Sequence, residues 1–232
     1  MTRLLTATLL LFSGLLIAPT PPAGAGTVTL DGVQVDLRSG TRQVVTVNHT
    51  SGTNARVTLW RKKDGRWVNI VRTTSGRTGY GGLVAGQDRR QGTGTTPLGT
   101  YRLLSTFGTH SRGANWGLSH RKIRAGDFWV QDNRSAYYNR YRNKSQGGFR
   151  WRLPSSDPNS SERLTDYPKQ YEFSLVTGFN YGAQVRHRGS GIFLHVNGSG
   201  ATAGCVSAPR AFIVKLMNRL EPELVPLIAI GR

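Results

Sequence analysis

The chain reads Ile192-Phe193-Leu194-His195-Val196-Asn197, crosses a short glycine-rich loop and continues as Thr202-Ala203-Gly204-Cys205-Val206-Ser207. Aromatic and branched apolar residues dominate the first run, which is typical of a β-strand. Because side chains alternate along a strand, Phe193, His195 and Asn197 are predicted to share one face. Beyond the loop, Ser207 is a residue type that caps helices, and Pro209 suits a first helical turn. The sequence therefore predicts that Cys205 lies just before a helix N-terminus, beside a strand that carries His195.

This placement has chemical consequences for the only cysteine of the chain, which follows His195 by ten residues. A free thiol titrates near ~8.5, and a helix N-terminus or a neighbouring imidazolium lowers that pKa to roughly 3.5–7.5. We therefore predict Cys205 as a nucleophile and His195 as the general base and acid that takes and returns its proton. The backbone N–H groups of Gly204, Cys205 and Val206 are the predicted donors to the oxygen of a tetrahedral intermediate.

Both residues also have a purely structural interpretation. A lone cysteine is often an inert, buried apolar residue, and a histidine on an apolar strand is often a satisfied core side chain. Their proximity within a Gly-Cys loop favours catalysis. The other histidines are scattered and lack the spacing of a zinc site, so neither a metal nor another cofactor is predicted.

Residues 1–25 have the composition of a secretory signal peptide. Arg3 supplies a positive charge, residues 4–18 are uncharged and mostly apolar, and Ala23-Gly24-Ala25 matches a cleavage site. An uncleaved anchor is the alternative. We predict a secreted or cell-wall protein in which residues 26–232 form a single domain. One cysteine in an exported chain cannot form an internal disulfide, so it is a working thiol, a dimer bridge or a passive core residue.

The charge of the chain indicates the kind of partner. Lys and Arg number 31 against 12 Asp and Glu, which gives a formal charge of +19, or +18 once Arg3 is removed with the leader. Such a field attracts polyanions. The basic residues follow no signature of a nucleic-acid-binding fold, so anionic cell-wall polymers are the predicted partner and nucleic acid is not. Simple solubility is the alternative interpretation.

Short alternating runs between turn signals predict a mainly β fold. The predicted strands cover residues 27–37, 43–49, 55–60, 67–71, 100–104, 172–177 and 227–230, with a hairpin turn at Asp64-Gly65. Residues 108–170 have poor apolar periodicity and a loop-like stretch rich in proline and serine. They are predicted to form a long irregular insertion, or a cap over a cleft.

The central motif resembles that of the L,D-transpeptidase catalytic domain, the YkuD-type family of peptidoglycan cross-linking enzymes. In that family a His and a spacer precede Ser or Thr, a variable or His position, Gly and Cys, which correspond here to His195 and residues 202–205. The run Thr96-Pro97-Leu98-Gly99 resembles the family's Thr-Pro-x-Gly turn into a strand. The spacer here is shorter than the common form. Ala203 stands where many members have a second His, and Ser207 where an Arg or Asn often follows the Cys.

The resemblance covers about residue 43 to the C-terminus and implies a β-sandwich with a short helix after the catalytic cysteine. It also implies acyl transfer without a cofactor. Cys205 would attack the L-centre carbonyl of the diamino acid in a tetrapeptide stem, D-alanine would leave, and an amine would resolve the thioester. Carbapenem-type β-lactams would acylate the same thiol.

Some parts of this interpretation stay open at the level of sequence. Thr202, Ser207 and Asn197 are the predicted supporting residues of the motif. The group that orients His195 is predicted among the carbonyls of residues 190–191, with His187 a weaker candidate. Two other functions fit the same residues: an L,D-carboxypeptidase that uses water as the acceptor, and a non-catalytic cell-envelope-binding protein on the same fold.

Overall fold

The structure, a computed structural model, describes residues 26–232, so the leader predicted over residues 1–25 lies outside the described residues. Within the described range the chain forms fifteen strands, one α-helix and five single-turn 3-10 segments. The strands are β1 (Thr27–Leu30), β2 (Val33–Asp36), β3 (Gln43–Ser51), β4 (Asn54–Lys63), β5 (Arg66–Arg77), β6 (Leu83–Ala85), β7 (Thr96–Gly108), β8 (His120–Lys122), β9 (Asp127–Trp129), β10 (Tyr141–Asn143), β11 (Glu162–Arg163), β12 (Phe173–Thr177), β13 (Phe193–Val196), β14 (Val206–Ala208) and β15 (Leu227–Gly231). The helix is α1 (Arg210–Met217), and the 3-10 segments are Gly86–Asp88, Lys144–Gln146, Leu164–Asp166, Gln170–Glu172 and Pro222–Leu224.

The main sheet closes on itself through one long strand. Its order is β12-β13-β14-β5-β4-β3-β15-β7, and β7 pairs again with β12. The first half of β7 pairs with β15 over Gly99–Arg102, and its second half pairs with β12 between Leu103 and Gly108. The closure gives two facing layers, so the predicted mainly β, sandwich-type fold is confirmed.

One apolar core fills the space between these layers and the helix. Alternate residues of β3 and β4 point into it, and α1 contributes the apolar side chains that its sequence period predicts. This core includes Val45, Val47, Val57, Leu59, Leu194, Phe212, Ile213 and Leu216. A separate cluster lies under the β1–β2 hairpin, where Val33 and Val35 pack on Val44 and Leu227.

The start of α1 differs from the prediction. Pro209, not Ser207, occupies the N-cap position, and no side chain caps the helix. Ser207 instead lies in β14, which pairs in parallel with β13 so that Ser207 stands opposite His195. The prediction of a helix directly after Cys205 was therefore wrong, because the short strand β14 lies between Cys205 and α1. Ser207, the predicted cap, pairs in the sheet instead.

The segment predicted to be irregular, residues 108–170, contains regular structure. Strand β9 pairs antiparallel with β10 on one side and β11 on the other. An ion pair of the buried Asp132 with the more exposed Arg150 fixes the connection. Asp132 accepts hydrogen bonds from Arg150 Nε at 3.0 Å and Nη2 at 2.6 Å. The Arg150 guanidinium holds the pKa of Asp132 at about 2. The insertion is therefore ordered and adds a further layer, a three-stranded sheet, to the two layers of the main sheet.

This layer covers the outer face of the main sheet. Phe193 lies among Phe107, Trp129 and Tyr171, with ring centroids 4.7 to 5.7 Å apart. Cys205 belongs to the same cluster. The two faces of β13 thus differ as alternation predicts, because Leu194 faces the inner core while Phe193 faces the insertion. Among the described residues, no helix has the length and apolar character needed to cross a membrane.

Candidate active site

The loop that carries Cys205 is closed by one threonine. Thr202 Oγ1 donates a hydrogen bond to the carbonyl oxygen of Cys205 at 2.6 Å and accepts the N–H of Gly204 at 3.2 Å. Gly204 has a φ of 124°, a region in which a side chain would strain the backbone. The turn therefore requires a glycine directly before the cysteine.

The Thr-Pro turn at the start of β7 meets this loop. Thr96 Oγ1 donates to the carbonyl oxygen of Cys205 at 3.4 Å and accepts the N–H of Gly79 at 2.7 Å. Two stretches that are 109 residues apart in the chain therefore build one site. Both threonine hydroxyls are buried, which makes these contacts costly to lose.

The Cys205 side chain lies between backbone groups of one connecting segment. Its Sγ donates to the carbonyl oxygen of Gly191 at 3.2 Å and accepts the N–H of Phe193 at 3.4 Å. The residue is 8% exposed. The thiol is therefore held by two backbone contacts at the wall of a cleft, and the structure contains no hydrogen bond between it and His195 among the described residues.

Burial keeps this thiol protonated. It raises the pKa of Cys205 to about 12, the nearby Glu162 carboxylate adds to the rise, and the Phe193 N–H and Arg89 oppose it. The expected lowering of the thiol pKa by a helix N-terminus is therefore wrong for this structure. The physical reason is that β14 separates Cys205 from α1, and the helix-end field acts only within about one turn.

His195 is held by its own backbone neighbour. Its Nδ1 lies 2.8 Å from the carbonyl oxygen of Val196. A carbonyl only accepts, so Nδ1 carries the proton and Nε2 keeps a free lone pair. Burial lowers the pKa of His195 to about 4, so the imidazole is neutral at pH 7. The orienting group predicted at residues 190–191 is thus corrected to Val196.

His187 has no part in orienting this imidazole. It is exposed with a φ of 62°, and its backbone N–H donates to Asn133 Oδ1 at 2.7 Å. The carbonyl of Gly191, predicted as a partner of His195, instead accepts the thiol.

Cys205 and His195 line the same cleft, which has a volume of about 280 Å³. Tyr171 forms a wall common to both: its ring packs edge-on against His195 at 5.5 Å and belongs to the cluster around Cys205. Tyr80 stands exposed beside the opening. The cleft thus brings together the two residues that the sequence motif predicts as nucleophile and base.

A carboxyl group also faces the cleft. The Tyr171 hydroxyl donates to Glu162 Oε1 at 2.5 Å. Burial raises the pKa of Glu162 to about 7, although the Tyr171 hydrogen bond acts in the opposite direction. Glu162 therefore changes charge near neutral pH. It lies close enough to Cys205 for its negative charge to raise the pKa of the thiol.

The cleft also has a buried guanidinium. Arg89 is 4% exposed and lines the cleft. Its Nε donates to the carbonyl oxygen of Thr95 at 2.8 Å and its Nη1 to that of Arg188 at 3.1 Å. Burial lowers the pKa of Arg89, and the Cys205 thiolate would raise it.

The three predicted oxyanion donors have different surroundings. The Gly204 N–H already donates to Thr202. Val206 is paired with Leu194 in the ladder between β13 and β14, whose register directs its N–H to β13. The Cys205 N–H has no acceptor among the described residues. It is therefore the loop donor that an incoming oxyanion would find free.

The remaining motif residues join strands. Ser207 Oγ donates to Asn197 Oδ1 at 2.7 Å, and Asn197 Nδ2 donates to the carbonyl oxygen of Ser75 in β5 at 2.7 Å. These contacts connect the end of β13 with β14 and β5. Neither residue lines the cleft, so both act by positioning the strands that carry His195 and Cys205.

Sequence reasoning missed Arg89, Glu162 and Tyr171. Arg89 lies in a glycine-rich stretch that matches no motif. Glu162 lies near the end of the insertion, where apolar periodicity is weak, and Tyr171 directly follows the insertion. The one sequence signal for Glu162 was the scarcity of acidic residues, 12 against 31 basic ones, which makes a Glu close to aromatic residues unusual in this chain. No group of three metal-ligating side chains occurs within residues 26–232.

Comparison with known proteins adds a family. The L,D-transpeptidase catalytic domain (YkuD) matches residues 42–227, a range that includes both Cys205 and His195. A solved structure of an L,D-transpeptidase from Mycobacterium smegmatis is similar over 89% of this chain and 66% of that chain, with 10% identity and a TM-score of 0.36. No curated protein matches.

Proposed function

The chain belongs to the L,D-transpeptidase catalytic-domain family, and from this premise we propose that it is an exported cysteine acyltransferase that forms peptidoglycan cross-links through a thioester on Cys205. The family acts on peptidoglycan stem peptides. One observation carries the proposal: the Cys205 thiol and the His195 imidazole, with its free Nε2, line one cleft.

The first half-reaction forms the thioester. Cys205 Sγ attacks the L-centre carbonyl of the diamino acid in the donor stem while its proton passes to His195 Nε2. The pKa values, about 12 for the thiol and about 4 for the imidazole, favour the neutral pair at rest. Proton transfer is therefore coupled to formation of the C–S bond, and a free thiolate does not accumulate.

The tetrahedral intermediate places a negative charge on the former carbonyl oxygen. The Cys205 N–H is the donor available for that oxygen, and a buried site strengthens such a contact. When the intermediate collapses, the C–N bond breaks and D-alanine leaves with the proton that His195 held. The acyl group remains on the sulfur.

The second half-reaction resolves the thioester. An amine of a neighbouring stem attacks the thioester carbonyl and gives a proton to His195. The C–S bond then breaks, and His195 passes that proton to the departing sulfur, which restores the thiol. None of these steps uses a metal or an organic cofactor. The composition of residues 1–25 supports export, and the formal charge of +19 supports contact with anionic wall polymers.

Intact-mass spectrometry with a carbapenem tests the proposal. The mature protein gains one carbapenem mass, and Cys205→Ala gains none while melting as the wild type does. An equal adduct on Cys205→Ala, or no adduct on the wild type, contradicts the proposal. Product analysis with stem peptides separates transfer from hydrolysis: cross-linked dimers indicate an amine acceptor, and free tripeptides indicate an L,D-carboxypeptidase.

A non-catalytic wall-binding function is the second candidate. The buried thiol, its raised pKa and the missing hydrogen bond to His195 favour it. On that function, Cys205→Ala binds purified cell walls as the wild type does, raised salt releases both proteins, and neither one changes the stem peptides.

A further inference from the structure

Arg89 is a buried cation without a carboxylate partner. None of the ion pairs among residues 26–232 includes it, although it is only 4% exposed. Leaving a charge buried and unpaired is costly, and folded proteins normally pair it or use it for a ligand. The side chain therefore needs an explanation beyond packing.

Two of its nitrogens fix the guanidinium in place. Nε and Nη1 donate to the carbonyl oxygens of Thr95 and Arg188, and the guanidinium carbon lies 5.6 Å from the centre of the Phe179 ring. Nη2 has no acceptor among the described residues, yet it belongs to a residue that lines the cleft. One end of a rigid fork is thus left to bind something inside the cleft.

The backbone around Arg89 is kept free of side chains. A Cβ at Gly204 would lie 2.8 Å from Nη2, and a Cβ at Gly189 would lie 1.5 Å from Nη1. Both glycines have positive φ, 124° and 106°. Since Gly204 directly precedes Cys205, Nη2 stands next to the nucleophile loop.

A second unpartnered polar atom lies nearby. Ser190 Oγ is buried beside the Tyr138 hydroxyl and forms no hydrogen bond of normal geometry within residues 26–232. Ser190 follows Gly189 and lines the cleft. A guanidinium N–H together with a hydroxyl is a donor pair suited to a carboxylate.

We propose that Arg89 Nη2, with Ser190 Oγ, forms an anion subsite that binds the free carboxylate of the residue expelled from the donor peptide. This proposal rests on the proposed function. In the donor stem, the terminal carboxylate carbon is three covalent bonds from the carbonyl that Cys205 attacks, each bond about 1.3–1.5 Å long. The carboxylate therefore lies within a few ångströms of Cys205, where Arg89 Nη2 stands beside Gly204. The subsite restricts the enzyme to stems that end directly after the expelled residue.

The test compares two donor tetrapeptides that differ at one group, a C-terminal carboxylate against a C-terminal amide. The wild type acylates with the acid at a kcat/KM about 10- to 100-fold higher than with the amide, the range of one charge-assisted hydrogen bond. Arg89→Gln narrows this preference, because it slows acylation by the acid more than acylation by the amide. Arg90→Gln, which removes an exposed arginine next door, keeps it.

Two results overturn the subsite: a wild type that uses acid and amide equally, or an Arg89→Gln protein that slows both by the same factor. The second result would assign Arg89 to the thiol or to the fold. If Arg89→Gln does not fold, Arg89→Lys takes its place, because it keeps the charge and loses the fork. If Arg89→Lys then keeps the wild-type preference for the acid over the amide, the proposed role of the guanidinium fork is wrong.

Binding to Cys205→Ala separates this proposal from the proposed function. Calorimetry with the two tetrapeptides measures recognition without acyl transfer. If the wild type forms no thioester but Cys205→Ala binds the acid better than the amide, and Arg89→Gln abolishes the difference, the subsite stands and the acyltransferase fails. If the thioester forms and Cys205→Ala binds both peptides equally, the subsite alone fails.

Discussion

Cys205 and Gly191 are joined by a hydrogen bond in which Sγ donates to the glycine carbonyl oxygen at 3.2 Å. The same peptide group is held from the insertion, because the Gly191 N–H donates to Asn139 Oδ1 at 3.0 Å. The position of the nucleophile therefore depends on a residue 66 places before it, in the segment that the sequence left without regular structure.

Asn139 should be a principal support of this link. Its buried amide accepts from Trp129 and Gly191 and donates to the carbonyls of Phe179 and Asn180. Its φ is 58°, which glycine also adopts, so Asn139→Gly removes the hydrogen bonds without backbone strain. We expect a loss of about 2–4 kcal/mol in the free energy of unfolding, measured by chemical denaturation. The matched control, Asp64→Gly in an exposed hairpin turn with φ 48°, changes it by a few tenths of a kcal/mol; equal losses in both variants would refute the role.

Glu162 and Arg89 should shift the reactivity of Cys205 in opposite directions. Glu162 raises the pKa of the thiol and Arg89 lowers it. In a pH series of iodoacetamide alkylation, the wild type reacts slowly at pH 7 and faster up to high pH. Glu162→Gln moves the profile to lower pH, and Arg89→Gln moves it to higher pH. Asp166→Asn, an exposed carboxyl on the same segment, leaves it in place; shifts of the same sign for Glu162→Gln and Arg89→Gln would contradict the account.

His195 should show its buried, neutral state in two measurements. Because its folded pKa is lowered to about 4, its contribution to stability is present above its ordinary value of 6.5 and is lost as pH falls through about 4. The difference in melting temperature between wild type and His195→Gln should therefore change between pH 6.5 and 4 and stay level above pH 7. His195→Gln should also lower the acylation rate by roughly 10²- to 10⁴-fold. A variant that acylates at the wild-type rate would remove His195 from the mechanism.

Gly204 should tolerate no side chain. An added Cβ would lie 2.8 Å from both Arg89 Nη2 and the carbonyl oxygen of Thr95, at a φ of 124°. Gly204→Ala should lower the melting temperature and abolish carbapenem acylation. Gly200→Ala, four residues earlier in the same loop with open space around it, should change neither. Wild-type acylation by Gly204→Ala would show that the loop does not need this conformation.

The residues near Cys205 explain how far sequence alone reaches. Alternation along residues 192–197 predicted the strand and the face shared by Phe193 and His195, because those properties are local. Ser207 was misassigned because its hydroxyl serves equally well in a helix cap or in a bond to Asn197, and the partner strand decides. Burial by residues distant in the sequence also raises the pKa of the Cys205 thiol, which the sequence predicted to be lowered.

Arg89 illustrates the remaining limit. Its neighbours in sequence are turn residues. The space for its guanidinium is left by Gly204 and Gly189, which are distant in the chain and adjacent in space. No local pattern encodes such a contact. The family motif located the nucleophile and its base, while the surroundings that set their protonation required the fold.

The most direct test of the acyl-transfer mechanism follows one tetrapeptide stem on the purified mature protein. After an acid quench and proteolysis, mass spectrometry should find a tripeptidyl thioester on the peptide that contains Cys205, with release of D-alanine. Release of D-alanine by Cys205→Ala at the wild-type rate, or neither adduct nor release with the wild type, would contradict the central claim.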